Sequence, residues 1–111
     1  MIKVPYTPEL WVILRIDFSS PEETMYRILG GWYGGYLGCD SWRLSSPIVS
    51  YEFNEEDKLH VFKNESGSEY ECHANCFRMS GLMSSVYARL EETEGVKVTI
   101  LEFEEFQKEF K

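Results

Sequence analysis

Apolar and polar positions along this chain fall into short periodic runs separated by polar turns. Residues 10–18 alternate, with Leu10, Val12, Leu14, Ile16 and Phe18 on one face and Trp11, Ile13, Arg15 and Asp17 on the other. A period of two predicts a strand with one fully apolar face and one mixed face. The period then changes. Ser20 suits a helix cap, Pro21 fits the first helical position, and Glu23 completes a capping box at the positive end of the dipole. Met25, Ile28, Leu29 and Trp32 recur at i, i+3, i+4 and i+7. That spacing predicts an amphipathic helix, which Gly30-Gly31 ends or loosens.

Three short alternating runs come later. Ile48–Phe53 sets Val49, Tyr51 and Phe53 against Ile48, Ser50 and Glu52. Lys58–Lys63 sets Leu59 and Val61 against His60 and Phe62, and Ser68–His73 sets Tyr70 and Cys72 against Glu69 and Glu71. Polar turns at 54–57 and 64–67 join them, with Gly67 able to take positive φ, so an antiparallel meander with one solvated face is expected. A second helix is predicted from Gly81 to Glu92, capped by Ser80, with Met83, Val86, Tyr87 and Leu90 on one face and Gly95 as its stop. Val96–Phe103 reads as the last strand. Phe103, Phe106 and Phe110 have helical spacing, so the tail 104–111 is expected either to form a helical turn or two docked through phenylalanines, or to fray or offer those phenylalanines to a partner. The order β-α-loop-β-β-β-α-β predicts one α+β domain over residues 1–111. Its form would be a mostly antiparallel five-stranded sheet with two helices packed on one face.

Composition narrows the classes. The chain has 111 residues, 43% of them hydrophobic and 15% aromatic, enough apolar mass for a folded domain rather than a disordered chain. Its net charge of −8 disfavours binding to duplex nucleic acid through phosphate neutralisation. The charge is uneven: residues 1–49 hold four basic and five acidic side chains, residues 50–111 seven basic and fourteen acidic. Most of the negative field therefore belongs to the second part, where it favours solubility and steers basic partners. No apolar run reaches the roughly 18 residues of a membrane span. The first residues lack the apolar core of a signal peptide, and three cysteines, an odd number, suit free thiols in a reducing cytoplasm.

Candidate chemistry concentrates in residues 30–47, where five glycines share a stretch with Trp32, Tyr33, Tyr36 and Trp42. Such aromatic mass implies an ordered loop. The glycines follow a helical pattern and lack both the Gly-Lys-Ser/Thr ending of a P-loop and the G-x-G-x-x-G spacing, which argues against nucleotide binding. Asp40-Ser41-Trp42-Arg43 offers other chemistry. Arg43 can clamp a carboxylate or phosphate, while Tyr36 and Trp42 can stack on a flat ligand or anchor a protein interface. The structural alternative has Trp32, Tyr36 and Trp42 filling the core and Arg43 paired with Asp40. Ser66 and Ser68, flanking Gly67, form a second candidate as an anion-binding nest, against which stands a plain hairpin turn. Cys39, Cys72 and Cys76 with His60 and His73 supply five possible zinc ligands, but no second Cys-x-x-Cys or His pair has standard spacing, so neither metal nor cofactor is expected. Asp40, Ser41 and the histidines lack any nucleophile-elbow or metalloprotease context, so the reading leans away from an enzyme.

The motif Gly31-Trp32-x-Gly34-Gly35-Tyr36-Leu37-x-x-Asp40-Ser41-Trp42-Arg43-Leu44 resembles one found in small proteins encoded by tailed bacteriophages and prophages. Ser66-Gly67-Ser68-x-Tyr70-x-Cys72-His73 and Met79-Ser80-x-x-Met83-Ser84-Ser85-x-Tyr87 are similar to the rest of that pattern. The resemblance spans residues 10–90 and brings no assigned activity. It implies an accessory protein made in the host cytoplasm, of a kind that often binds and inhibits host proteins, defence systems among them. The expectation is a non-catalytic protein-binding module contacting a host or phage protein through the glycine-aromatic loop, with a second copy of the chain also open as a partner. The alternative is a small-ligand binder gripping a planar or anionic molecule with Tyr36, Trp42 and Arg43 in a pocket beneath the loop.

Overall fold

The computed structural model describes residues 4–18, 23–34 and 40–110. Its elements are β1 (Leu10–Phe18), β2 (Thr24–Trp32), β3 (Ser41–Leu44), β4 (Ile48–Asn54), β5 (Leu59–Asn64), β6 (Glu69–His73), α1 (Gly81–Glu91), β7 (Val96–Leu101) and α2 (Phe103–Glu109), with a 3₁₀ turn at Ala74–Cys76. The class is α+β. In place of one five-stranded sheet there are two antiparallel sheets, a four-stranded one ordered β3-β2-β1-β7 and a three-stranded one ordered β4-β5-β6.

Both faces of β1 are buried. Trp11 and Ile13 join Ile28, Ile48, Phe62, Tyr70, Cys72, Leu101 and Phe106 in one cluster, between the two sheets and α2. Leu10, Val12, Leu14 and Ile16 join Leu29, Met83, Val86 and Val98 in another, beneath α1. The two helices therefore lie on opposite faces of the four-stranded sheet, not on one.

The expected first helix is β2, a strand paired antiparallel with β1 from Leu10↔Gly31 to Asp17↔Thr24. Its proposed cap, Ser20-Pro21, lies outside the described residues. The physical reason is the two-sided burial. Ile28 and Tyr26 serve one cluster while Leu29 and Met25 serve the other, so apolar residues fall on consecutive positions and mimic helical spacing. Gly30-Gly31 tips the balance, because each glycine costs a helix interior about 1 kcal/mol yet lets neighbours approach a strand closely. A Cβ on Gly31 would run into the Met83 sulfur and stand 2.9 Å from Met83 Cγ.

The meander forms as expected, with Gly67 at φ 90°. One detail differs: the register slips between Ile48 and Ser50, so Ile48 turns inward and Val49 is left 55% exposed. A bulge of this kind re-aims side chains at a sheet edge. The segment before β1 covers the free edge of β6, where Tyr6 N–H donates to Glu69 O at 2.9 Å and Glu71 N–H to Tyr6 O at 2.8 Å. Ser80 caps α1 by accepting from Met83 N–H at 3.2 Å, and Gly95 follows the helix at φ 84°.

Helix α2 docks as the phenylalanine spacing predicts. Phe106 is fully buried and Phe103 and Phe110 pack beside it. Its far end is tied to β1 by Arg15, whose Nη1 donates to both Glu109 oxygens at 2.8 and 2.9 Å, and to β2 by the Tyr26 hydroxyl at 3.2 Å. No helix among the described residues is long and apolar enough to cross a membrane.

The close approach of β2 to α1 yields a prediction. Gly31→Ala should lower stability by about 1–3 kcal/mol through overpacking, read by urea denaturation. The loss should shrink in a Met83→Ala background, where space opens; an equal loss in both backgrounds would show that Met83 is not the obstacle.

Candidate functional site

The residues expected to form a loop around Trp42 are partly a strand. Ser41, Trp42, Arg43 and Leu44 make β3, paired with Trp32, Gly31, Gly30 and Leu29 in turn. Among the described residues β3 pairs only with β2, so it is an edge strand. Trp42 is 44% exposed and Arg43 is also exposed. Strand geometry sends these neighbours to opposite faces. Trp42 shares the face of Gly31, toward α1. Arg43 shares the face of Gly30, toward Pro8 and the opposing sheet. Tyr36 and Cys39 lie outside the described residues.

Arg43 and Asp40 are engaged separately. The Arg43 guanidinium carbon sits 4.5 Å from the centre of the Tyr6 ring, a cation–π contact. Tyr6 in turn packs on Tyr70, with centroids 4.9 Å apart. Asp40 instead accepts a hydrogen bond from Gly34 N–H at 3.1 Å. Burial pushes the Tyr70 phenol up to about 12. Arg43, which reaches it with charge but not with a hydrogen bond of sound geometry, pulls the other way.

Ser66 and Ser68 belong to a chain of hydroxyls. Ser46 and Ser66 hydroxyls lie 2.9 Å apart, Ser66 and Ser68 hydroxyls 3.0 Å, and Asn64 Nδ2 donates to Ser68 Oγ at 3.3 Å. Ser66 N–H also donates to Ser46 Oγ at 3.1 Å. This chain ties the β5–β6 turn to the link between β3 and β4. The Arg43 and Ser66/Ser68 candidates are thereby brought to the same side of the four-stranded sheet, while Trp42 stands on the other.

The sulfur and imidazole groups are spread out. Cys72 is fully buried, and burial pushes its thiol well above the usual range. Cys76 is half-buried on the 3₁₀ turn and the His73 side chain is exposed. Among the described residues no group of three or more His, Cys, Asp and Glu side chains is placed to hold a metal. Asp40 and Ser41 stand at the outer strand of one sheet, whereas His60 and His73 belong to strands of the other.

His60 is the residue whose setting sequence reasoning missed. It is 8% exposed, and its ring lies 3.9 Å from Phe103, 4.7 Å from Phe53 and 5.5 Å from Trp11 between centroids. Its Nδ1 is enclosed and has no hydrogen-bond partner among the described residues. Burial lowers its pKa below the usual 6.5. The available signal was its place beside Phe62 on the inward face of β5. His60 also lines an open cleft of about 290 Å³ with Trp11, Phe77, Phe103, Glu102 and Glu104. A second cleft of about 480 Å³ lies by Tyr26, Ile48, Glu109 and Phe110. Neither of these two clefts is lined by Trp42 or Arg43.

The His60 shift sets a pH dependence. The unfolded chain takes up a proton near pH 6.5, while the folded chain resists until lower pH, so stability from the neutral ring is present above that range and lost as pH falls through it. Wild type should lose more stability than His60→Phe between about pH 7.5 and about pH 5.5, measured by urea midpoints. Equal losses would mean that burial of His60 has no such effect.

Comparison with protein-family models, curated proteins and solved structures finds no match to this chain, so the reading of its site rests on its own residues.

Proposed function

We propose that this chain is a non-catalytic protein-binding module, a phage-type accessory protein that engages a host protein through the β3 edge. The observation that carries the reading is an outermost strand presenting an exposed Trp42 beside an exposed Arg43. Trp and Arg are the residue types most enriched among interface hot spots. A strand edge with no neighbour among the described residues adds main-chain donors and acceptors that an extended segment of a partner can meet, with side chains read alternately on the two faces. The resemblance of residues 31–44 to phage proteins supports the choice of a host protein, defence proteins included, as the partner.

The opposite facing of Trp42 and Arg43 favours this reading over a small-ligand grip. A single planar or anionic molecule would need both side chains on one side of the strand. A protein strand added to the edge meets both faces at once.

Affinity purification from bacterial host lysate tests the proposal, with wild type beside the Trp42→Ala/Arg43→Ala double variant. Wild type should capture a defined protein, and the double variant should lose it by at least about tenfold while keeping the same circular dichroism spectrum. Equal capture by the variant, or a copurifying metabolite in place of a protein, would contradict the assignment.

A further inference from the structure

The cleft at His60 has a chemistry that the β3 edge does not share. Its walls are aromatic: the half-buried Phe77 and Phe103 line it together with the buried Trp11 and His60, with Phe77 and Trp11 edge to face at 4.9 Å and His60 against Phe103 at 3.9 Å between centroids. Glu102 and Glu104 are exposed and line the same cleft. The walls are held from behind, since Trp11 Nε1–H donates to His73 O at 2.7 Å. We propose that this cleft binds a small free organic cation with an N-methylated ammonium head.

Three observations select that ligand class. Aromatic ring faces carry partial negative charge and attract a cation most strongly when water is excluded, which suits an ammonium wrapped in methyl groups. His60 fits as a fourth aromatic wall because its enclosed Nδ1 has no partner among the described residues to stabilise a proton, so the ring brings no repelling charge. An anion finds nothing equivalent here. The start of α2 carries Glu104 and Glu105 in its first turn, and Glu105 Oε1 already accepts from Glu102 N–H at 3.1 Å. Lys58 and Arg78 lie close in the chain path, through Ala74 N–H to Lys58 O and Arg78 N–H to Trp11 O, but neither lines the cleft. Size sets the rest: about 290 Å³ is at the lower bound of ligand pockets. That volume takes a compact head group rather than a long chain.

The probe is choline chloride, followed by NMR at the Trp11 indole N–H and the Phe103 amide. Controls are its neutral isostere, with a tert-butyl group replacing trimethylammonium, and sodium benzoate. Choline should give saturable shifts at both positions, with the isostere weaker by at least about tenfold and benzoate inert. Glu104→Gln, an exposed change that leaves the fold intact, should weaken choline by about two- to fivefold and leave the isostere unaffected. Phe103→Ala should abolish binding. The proposal is overturned by any of four results: no saturable shift in wild type, equal binding of cation and isostere, preference for benzoate, or binding of a trimethyllysine peptide without choline. The variants Trp42→Ala and Arg43→Ala should bind choline like wild type, which keeps this site's outcome separate from that of the β3 edge.

Discussion

Between Leu10 and Leu14 strand β1 has no solvent face, and the architecture follows from covering it twice. Its even positions need a cover that a helix supplies, and α1 brings Met83 and Val86 down on them. Its odd positions need a second cover, which the β4-β5-β6 sheet and α2 supply through Phe62, Tyr70 and Phe106. Strands buried on both faces are usual in parallel sheets with helices on each side. Here the same burial is reached with antiparallel strands, α1 on one side and a second sheet with α2 on the other. The Arg15–Glu109 pair fixes the position of α2 at the rim of this arrangement, where it is part-exposed and its contribution is modest.

That double burial also explains what could be read from the sequence and what could not. The meander was legible because its strands are covered on one side only, so Tyr70 and Cys72 alternate cleanly with Glu69 and Glu71. Helix α1 was legible from the Ser80 cap, the Met83–Val86–Tyr87–Leu90 stripe and Gly95, and α2 from its phenylalanine spacing. Strand β2 was not, because burial on both faces places apolar residues next to one another and erases the period of two. The split into two sheets was hidden for a different reason, since alternation within a strand says nothing about which strand lies beside it. At the candidate site, the sequence pattern does not decide between a core-filling and an exposed Trp42, and its face relative to Arg43 depends on β3 being a strand. Tyr6 as the partner of Arg43 depended on a chain segment that had no periodic signal at all.

Charge divides the molecule along similar lines. The β3 edge belongs to the nearly neutral first part of the chain, with aromatic and guanidinium groups suited to protein recognition. The cleft at His60 takes Trp11 from that first part and its other walls, with the Glu102 and Glu104 rim, from the acidic second part. Two surfaces of different chemistry are thus attached to one core, and both hang on β1, which pairs with the β2 partner of β3 and supplies Trp11 to the cleft.

If β1 organises the fold from the inside, native-state hydrogen exchange followed by NMR will report it: the amides of Val12 to Ile16 should be the slowest to exchange and open only with the free energy of global unfolding measured by urea. Exchange of β1 through cheaper local openings, no better protected than β4 or α2, would contradict it.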